Sequence, residues 1–278
     1  MTERITSRDN PKIKYACKLG QSTAFRRTER SFLAEGLKLC PELARGCPIK
    51  VVFYTEKALE RAPEIQTLGG EQYLIEEHVA QKLAGVDSHQ GLFCIFGMPE
   101  NGEKALYPGG RYLALERVQD PGNVGALVRS AAAFGFDAVI VDPGCASPFG
   151  PKALRASMGA AGRLPVVESR CLPDTLAQLH AWGVTNLAAA LYNSRPLHQV
   201  DGAYPNGVCL VIGSEGQGLT EAAVAACDAA VRIPITDRVE SLNASVAGSV
   251  LLWHFRRPDS GTPLRSAAGT GTAPPHGR

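Results

Sequence analysis

The chain has 278 residues, of which 45% are apolar and 20% charged, with a formal net charge of +2. This composition excludes a disordered chain, and the near-balanced charge excludes nucleic-acid binding by bulk electrostatics alone. The eight cysteines form no CxxC pair and cluster with no histidine, which favours reduced thiols over a zinc or other metal site. The sequence shows no signal-peptide core and no membrane-length apolar run, so we expect a cytoplasmic protein.

Residues 1–98 are predicted to form a small α/β unit. Their first thirty residues carry more basic than acidic side chains, and Lys12 and Lys14 are candidate phosphate contacts, although a solvated helix face explains the same pattern. Residues 99–110 are rich in proline, glycine and polar residues and are the predicted linker. The patterns in this unit predict helices over 31–46 and 78–85, and strands over 49–55, 71–75 and 91–97.

After the linker, strands alternate with helices again. The strands are apolar without period-two alternation, which indicates a parallel sheet covered on both faces. Lys152 and Arg155 form a basic edge on one predicted helix. They are weaker candidates for binding phosphate, because a basic edge on a helix is usually only solvated. The predicted strands are 111–118, 137–142, 163–169, 185–192, 206–213 and 229–235, and the predicted helices are 122–135, 151–162, 172–183, 220–228 and the second half of 238–253.

Ligands of a parallel sheet bind beyond the carboxyl ends of its strands, and three loops there are unusual. In QDPGNVGALVRSAAAFG, Asn123 is placed to cap a helix or contact a ligand, Gly125 permits close backbone approach, and Arg129 can add anion binding. The alternative is that Asn123 only caps and Arg129 pairs with a surface acid. In VIGSEGQGLT, three glycines surround Glu215 in an order that differs from the dinucleotide fingerprint, which favours a small-ligand loop over a plain turn.

A third unusual loop, RVESLNASVAGSVLLW, leads into the last predicted helix. Ser241, Asn243 and Ser245 are more polar side chains than one helix cap requires, although capping plus helix-face serines explains them too. The helix that follows is predicted to bury one apolar stripe, formed by Leu242, Val246, Val250 and Trp253. The tail 258–278 is small, polar and proline-rich, and is predicted to be disordered.

Taken in order, DPGNVGALVRSAAAFG, VIGSEGQGL and IPITDRVESLNASVAGSVLL resemble the three motifs of the SpoU/TrmH family, RNA 2′-O-ribose methyltransferases of the SPOUT class. The resemblance covers residues 110–255 closely, and no motif residue is missing. Ser214 and Ala244 replace residues more usual in relatives without touching a polar role. ITSRDNPKIK and FLAEGLKLCPEL are also similar to the ribosomal-protein-like domain that binds substrate in many members.

The resemblance implies a parallel-sheet α/β SPOUT domain with a C-terminal trefoil knot, which works as a homodimer with the active site near the subunit interface. It implies S-adenosylmethionine as the cofactor, bound mainly by backbone groups and lined by Gly213, Ile233 and Leu242. The polar positions of the family's site match Asn123, Arg129, Glu215, Ser241 and Asn243. The RNA contacts expected with it are Lys12, Lys14, Lys152 and Arg155.

The implied organisation is an RNA-binding domain over 1–98, a linker over 99–110, a methyltransferase domain over 111–257 and the tail. The implied reaction moves a methyl group from a sulfonium to a ribose 2′-hydroxyl, which depends chiefly on in-line placement. The family favours Arg129 as the proton acceptor, but a guanidinium holds its proton strongly. We therefore expect Arg129 to bind the neighbouring phosphate and stabilise the developing alkoxide, with Glu215 and Asn243 orienting it.

Other functions remain alternatives at this point. A non-catalytic RNA-binding or assembly protein on the same fold is disfavoured by the intact polar set, and a nucleotide-dependent oxidoreductase by the misordered glycines. Within the family, ribosomal RNA is expected over transfer RNA, because an accessory domain suits a target embedded in a large folded RNA.

Overall fold

The structure is a computed structural model that describes residues 3–85, 88–99 and 102–257. Its first half forms one sheet with helices around it. The elements of this half are β1 (Glu3–Ile5), α1 (Pro11–Gln21), α2 (Thr23–Glu29), β2 (Ser31–Glu35), α3 (Leu39–Ala44), β3 (Ile49–Tyr54), α4 (Glu56–Arg61), β4 (Glu71–Ile75), α5 (Glu77–Ala84) and β5 (Leu92–Gly97).

The first sheet has the strand order β1-β4-β3-β5-β2, with β5 antiparallel to both of its neighbours. The predicted strands 49–55, 71–75 and 91–97 and the predicted helix 78–85 are confirmed within one residue. The single helix predicted over 31–46 is wrong. Its first part is the buried strand β2, which pairs with β5, and Gly36 then takes a φ of +131° that a helix cannot continue through.

The second half forms a larger sheet with the order β10-β12-β9-β11-β6-β7-β8, in which every pairing is parallel. The predicted parallel α/β architecture is therefore confirmed. The elements of this half are β6 (Arg111–Leu115), α6 (Pro121–Ala133), β7 (Ala138–Val141), α7 (Pro151–Ser157), β8 (Val166–Glu168), α8 (Leu172–Ala181), β9 (Thr185–Ala189), β10 (Arg195–Pro196), β11 (Val208–Ile212), α9 (Glu221–Ala225), β12 (Ala229–Arg232) and α10 (Ala244–His254).

Several predicted features of the second half differ from the structure: the strands predicted over 111–118, 185–192 and 229–235 end at Leu115, Ala189 and Arg232. The helix predicted over 151–162 ends at Ser157, because Met158 and Gly159 both take positive φ angles, and a 3₁₀ turn follows. The stripe predicted to be buried on α10 faces outward, with Val246, Val250 and Trp253 exposed by 50%, 38% and 52%. The buried face is instead formed by Ala244, Gly248, Leu251 and Leu252.

The small residues on that inner face explain the orientation of α10. A Cβ on Gly248 would lie 2.3 Å from Leu127 Cδ2 of α6, so the glycine lets the two helices approach closely. Gly125 has the same role elsewhere on α6, where a Cβ would lie 2.3 Å from the backbone oxygen of Ala153 in α7. The close approach expected at Gly125 is thus an approach to a neighbouring helix.

The two halves pack directly against each other. The rings of Phe32 on β2 and Phe149 before α7 have centroids 5.0 Å apart. Arg27 Nε lies 2.9 Å from Glu168 Oε2, and one hydrophobic core runs through both sheets. A Cβ on Gly46 would lie 1.8 Å from a backbone oxygen of the other half, so the chain backbones touch there. The junction therefore holds the two sheets in a fixed relation.

All eight cysteines are free; Cys40, Cys47, Cys94 and Cys209 are buried, whereas Cys171 is exposed. Within residues 3–85, 88–99 and 102–257, no three metal-binding side chains come together, and no helix is long and apolar enough to cross a membrane. The tail 258–278 and two residues of the predicted linker, 100 and 101, lie outside the described residues.

Candidate functional site

Three loops meet at the carboxyl-terminal edge of the larger sheet, following β6, β11 and β12. Asn123 Nδ2 donates a hydrogen bond to Glu215 Oε1 at 2.5 Å, and Asn243 Nδ2 donates to Asn123 Oδ1 at 3.1 Å. These three side chains come from the three stretches that the sequence analysis singled out. The carboxylate, the two amides and the surrounding loops form one polar cluster, which we call the amide–carboxylate cluster.

The start of α6 explains why Asn123 is available to this cluster. Asp120 is the N-cap, and its Oδ1 accepts a hydrogen bond from the backbone nitrogen of Asn123 at 2.9 Å. Lys152 Nζ lies 2.7 Å from Asp120 Oδ2 and holds the pKa of this carboxyl below its usual value, so the cap is charged at neutral pH. The alternative that Asn123 serves only as a cap is therefore wrong, and Lys152, a predicted phosphate contact, is paired with Asp120.

The start of α10 uses Asn243 in two ways. Its Oδ1 accepts from the backbone nitrogens of Ser245 and Val246 at 2.9 and 3.3 Å, and from the Ser245 hydroxyl at 2.7 Å. Its amide nitrogen faces the other way and bonds to Asn123. Because the oxygen caps the helix, the orientation of the donor nitrogen is fixed by the helix itself. Ser245 therefore supports the cap, while the amide nitrogen of Asn243 links α10 to the cluster.

Glu116 clamps both ends of the loop that carries the cluster's carboxylate. Its backbone nitrogen donates to Ile212 O at 2.9 Å, before the loop begins. Its carboxylate accepts from the Thr220 backbone nitrogen at 2.8 Å and from the Thr220 hydroxyl at 2.7 Å, where the loop ends. Glu116 is 5% exposed, so these bonds are shielded from water. Sequence reasoning missed this residue; its only signal is an acidic side chain directly after a buried strand.

The expected cofactor residues lie where the chain offers backbone groups. A Cβ on Gly213 would lie 2.3 Å from the carbonyl carbon of Gly218, so only glycine fits where this loop folds back on itself. Ile233 and Leu242 are partly buried at the two ends of a segment without helix or strand. Residues 234–241 are exposed and lie outside helices and strands, with one turn at Asp237 and Arg238. Free backbone donors and acceptors beside apolar side chains can hold a ligand with a flat apolar part and polar edges.

Arg129 and Ser241 stand apart from the amide–carboxylate cluster. Both are exposed, and neither side chain makes a hydrogen bond or ion pair with any residue that the structure describes. Glu215 and Asn243 contact Asn123 rather than Arg129, so the expected orientation of the guanidinium by these two residues is not met within one chain. Arg129 instead lies next to Ser130, whose hydroxyl is 2.8 Å from Ser249 on α10.

The other predicted phosphate contacts lie on exposed surfaces. Lys12 Nζ is 3.0 Å from Glu71 and lies over the Tyr73 ring. Hydrogen bonding raises the pKa of Lys12, with the larger contribution from Tyr73 and the smaller from Glu71. Lys14 is 3.0 Å from Asp9. Surface pairs of this kind contribute little to stability, so an anionic ligand can compete for them. Arg155 is exposed on α7 and has no partner among the described residues.

Comparisons with known proteins identify the family of both halves of the chain. Residues 110–253 match the SpoU rRNA Methylase family, and residues 10–94 match the MRM3-like substrate binding domain. The 23S rRNA (guanosine(2553)-2′-O)-methyltransferase RlmP of Bacillus subtilis is 32% identical over 91% of this chain and 99% of its own. An AdoMet-bound rRNA methyltransferase from Sinorhizobium meliloti has a TM-score of 0.79 at 30% identity, over 91% of this chain and 97% of that one. A putative TrmH-family RNA methyltransferase from Porphyromonas gingivalis has a TM-score of 0.78 at 30% identity, over 89% and 98%.

Proposed function

Because the chain belongs to the SpoU rRNA methylase family, we propose that it transfers a methyl group from S-adenosylmethionine to a ribose 2′-hydroxyl in ribosomal RNA. The observation that carries this proposal is the amide–carboxylate cluster, in which Asn123 bonds to Glu215 and Asn243. Three loops far apart in sequence bring their polar side chains to one point. RNA is the substrate class because DNA lacks the 2′-hydroxyl.

The backbone groups around Gly213, Ile233 and Leu242 fit the cofactor. The tight fold at Gly213 and the exposed backbone of residues 234–241 offer the donors and acceptors that such a ligand needs. S-adenosylmethionine, when bound, supplies an activated methyl group on a sulfonium. Glu116 bonds to Thr220 at the end of the loop that contains Gly213, so this part of the proposed cofactor site is preformed.

The amide–carboxylate cluster positions the ribose. Glu215 is exposed and its second carboxylate oxygen is available to accept from a sugar hydroxyl. Holding the 2′-hydroxyl in line with the methyl group supplies most of what this reaction needs. Arg129 binds the phosphate beside the target ribose with its planar fork and stabilises the developing alkoxide. The hydroxyl proton leaves to phosphate or water.

The protein works as a homodimer, supported by the outward stripe of α10. Val246, Val250 and Trp253 expose large apolar side chains on one helix face, which is unusual for a surface that stays in water. Ser130, the residue after Arg129 on α6, has its hydroxyl 2.8 Å from that of Ser249, which lies next to this stripe on α10. A second copy that covered the stripe would lie close to the part of α6 that carries Arg129, whose guanidinium has no partner among the described residues.

The mass of the protein in solution tests the homodimer. The wild-type chain of 29.5 kDa should sediment at twice that mass, and Val246→Asp should sediment as a monomer, because a carboxylate would be buried in the interface. Val224→Asp is the matched control, since Val224 is an exposed valine on α9. A monomeric wild-type protein would contradict the proposal.

We also propose the domain division that the sequence implies. An RNA-binding domain spans 1–98, a linker 99–110 and the methyltransferase domain 111–257, followed by the tail 258–278. The end of the first sheet at Gly97 and the start of the second at Arg111 support these bounds. The methyltransferase domain carries the family's trefoil knot at its C-terminal end, and the protein acts in the cytoplasm.

Methyl transfer to RNA tests the function itself. Labelled S-adenosylmethionine is incubated with the protein and total RNA from cells that lack it, and 2′-O-methylated riboses are mapped. We expect label at one ribose of ribosomal RNA, and none with Asn123→Ala. Label in transfer RNA would show that transfer RNA, and not ribosomal RNA, is the substrate. Binding of the cofactor without label on either free RNA or ribosome precursors would support the non-catalytic alternative.

A further inference from the structure

A cavity of about 140 Å³ lies between the two halves of the molecule. The small domain contributes the end of α1, the strands β2 and β5 and the end of α5, and the large domain contributes α7 through Pro151 and Arg155. Because Phe149, just before α7, packs against Phe32 on β2 with ring centroids 5.0 Å apart, the two walls of this cavity are held together. The cavity is separate from the amide–carboxylate cluster, and the proposed chemistry does not use it.

The walls of the cavity differ between floor and rim. The floor is apolar and includes Leu33, Leu83 and Phe93. The rim carries both a hydrogen-bond acceptor and a hydrogen-bond donor. Glu35 has one carboxylate oxygen bonded to the Gln90 backbone nitrogen at 3.1 Å, which leaves its other oxygen free to accept. Lys82 donates one hydrogen bond to a backbone oxygen at 2.9 Å. An apolar slot with donors and acceptors at its edge suits a flat heterocycle.

Helix α7 connects this cavity to the ribose-binding cluster. Lys152 bonds to Asp120, which caps the helix that presents Asn123. Arg155 stands one turn later, about 4.5 Å along the helix axis, and lines the cavity. Its guanidinium has no partner among the residues described, so it can take a phosphate. A strand of RNA that reaches the cluster can therefore follow α7 to the cavity.

We propose that this cavity binds an unpaired nucleobase of the substrate RNA, a few nucleotides from the methylated ribose, with the adjoining phosphate on Arg155. The inference rests on the proposed function for its ligand class and adds a second point of recognition. Because the cavity and the cluster are joined through α7, the distance between the bound base and the target ribose is set by the protein. The site thus selects RNAs that carry an unpaired base at that distance.

Filling the cavity tests this inference. A Cβ on Gly20 would meet only Leu33 Cδ2, at 3.7 Å, so Gly20→Leu places a side chain in the cavity without a backbone clash. Gly20 lies within α1, where replacing glycine raises helix propensity, so the melting temperature should not fall. We expect the affinity for ribosomal RNA from cells lacking the protein to fall about tenfold, as for one lost stacked base, with S-adenosylmethionine affinity unchanged.

Gly69→Leu is the matched control, because a Cβ there meets nothing within 4 Å. A folded Gly20→Leu variant that binds this RNA as tightly as Gly69→Leu would overturn the inference. Should Gly20→Leu lower the melting temperature, Arg155→Gln decides: we expect the slope of log affinity against log salt to become shallower by about one. An unchanged slope and affinity would overturn the inference, whereas a wild-type protein that binds no RNA would refute the proposed function itself.

Discussion

The bond between Thr220 and Glu116 can be removed with little change of shape. Thr220→Val deletes a hydroxyl that donates to Glu116 Oε1 at 2.7 Å and accepts from the Ala223 backbone nitrogen at 3.2 Å. A hydrogen bond to a charged group contributes about 1.5–3 kcal/mol, and a helix cap about 1 kcal/mol. Because Glu116 is buried, water does not replace the lost donor. The free energy of unfolding should therefore fall by about 3 kcal/mol.

Thermal unfolding and calorimetric titration measure the effect of this change. A loss of that size lowers the melting temperature by about 6–12 °C in a protein of this length. Since Thr220 ends the loop that carries Gly213 and Glu215, S-adenosylmethionine should also bind more weakly. Thr220→Ser keeps the hydroxyl and should remain close to wild type in both measurements. A valine variant that melts within about 1 °C of the serine variant would refute the clamp.

Three further predictions concern the site and the thiols. Arg129→Lys should lose most methyl transfer, because one ammonium cannot replace a planar fork; near wild-type turnover would contradict this. Asn243→Asp keeps the oxygen that caps α10 but loses the donor to Asn123, so turnover should fall about tenfold with little change in melting temperature. Burial raises the pKa of Cys145 to about 12, so this thiol stays protonated at pH 8 and reacts slowly with a thiol reagent. The exposed Cys171 should react first. Cys171→Ser should remove the fast phase.

The polar loops of the site could be predicted from the sequence, but some of the hydrogen bonds that these loops make could not. Asn123, Glu215 and Asn243 stand out as polar residues that follow apolar strands, and the structure brings them together. Glu116 and Thr220 are 104 residues apart, and nothing local in either residue predicts their bond. It depends on β6 and β11 lying side by side in the sheet, which is a property of the strand order.

The error at residues 31–46 has a similar cause. The segment contains residues that favour helices, and its local pattern does not reveal that five of them, Ser31–Glu35, pair with β5. The ladder is antiparallel and distant in sequence, so tertiary pairing overrides local propensity. Gly36, with its φ of +131°, separates the strand from the short helix α3 that follows.

The last helix shows what periodicity can and cannot determine. The apolar periodicity groups Val246, Val250 and Trp253 on one face, and the structure agrees that they share a face. Periodicity does not tell what that face packs against. The opposite face is also apolar but made of smaller residues such as Ala244 and Gly248, which suits the close approach to α6. A helix that is apolar all round is normally covered all round. Among the described residues, Phe134 and Arg256 contact the Trp253 ring and the rest of the outer face stays exposed, so this is the face that the proposed second copy would cover.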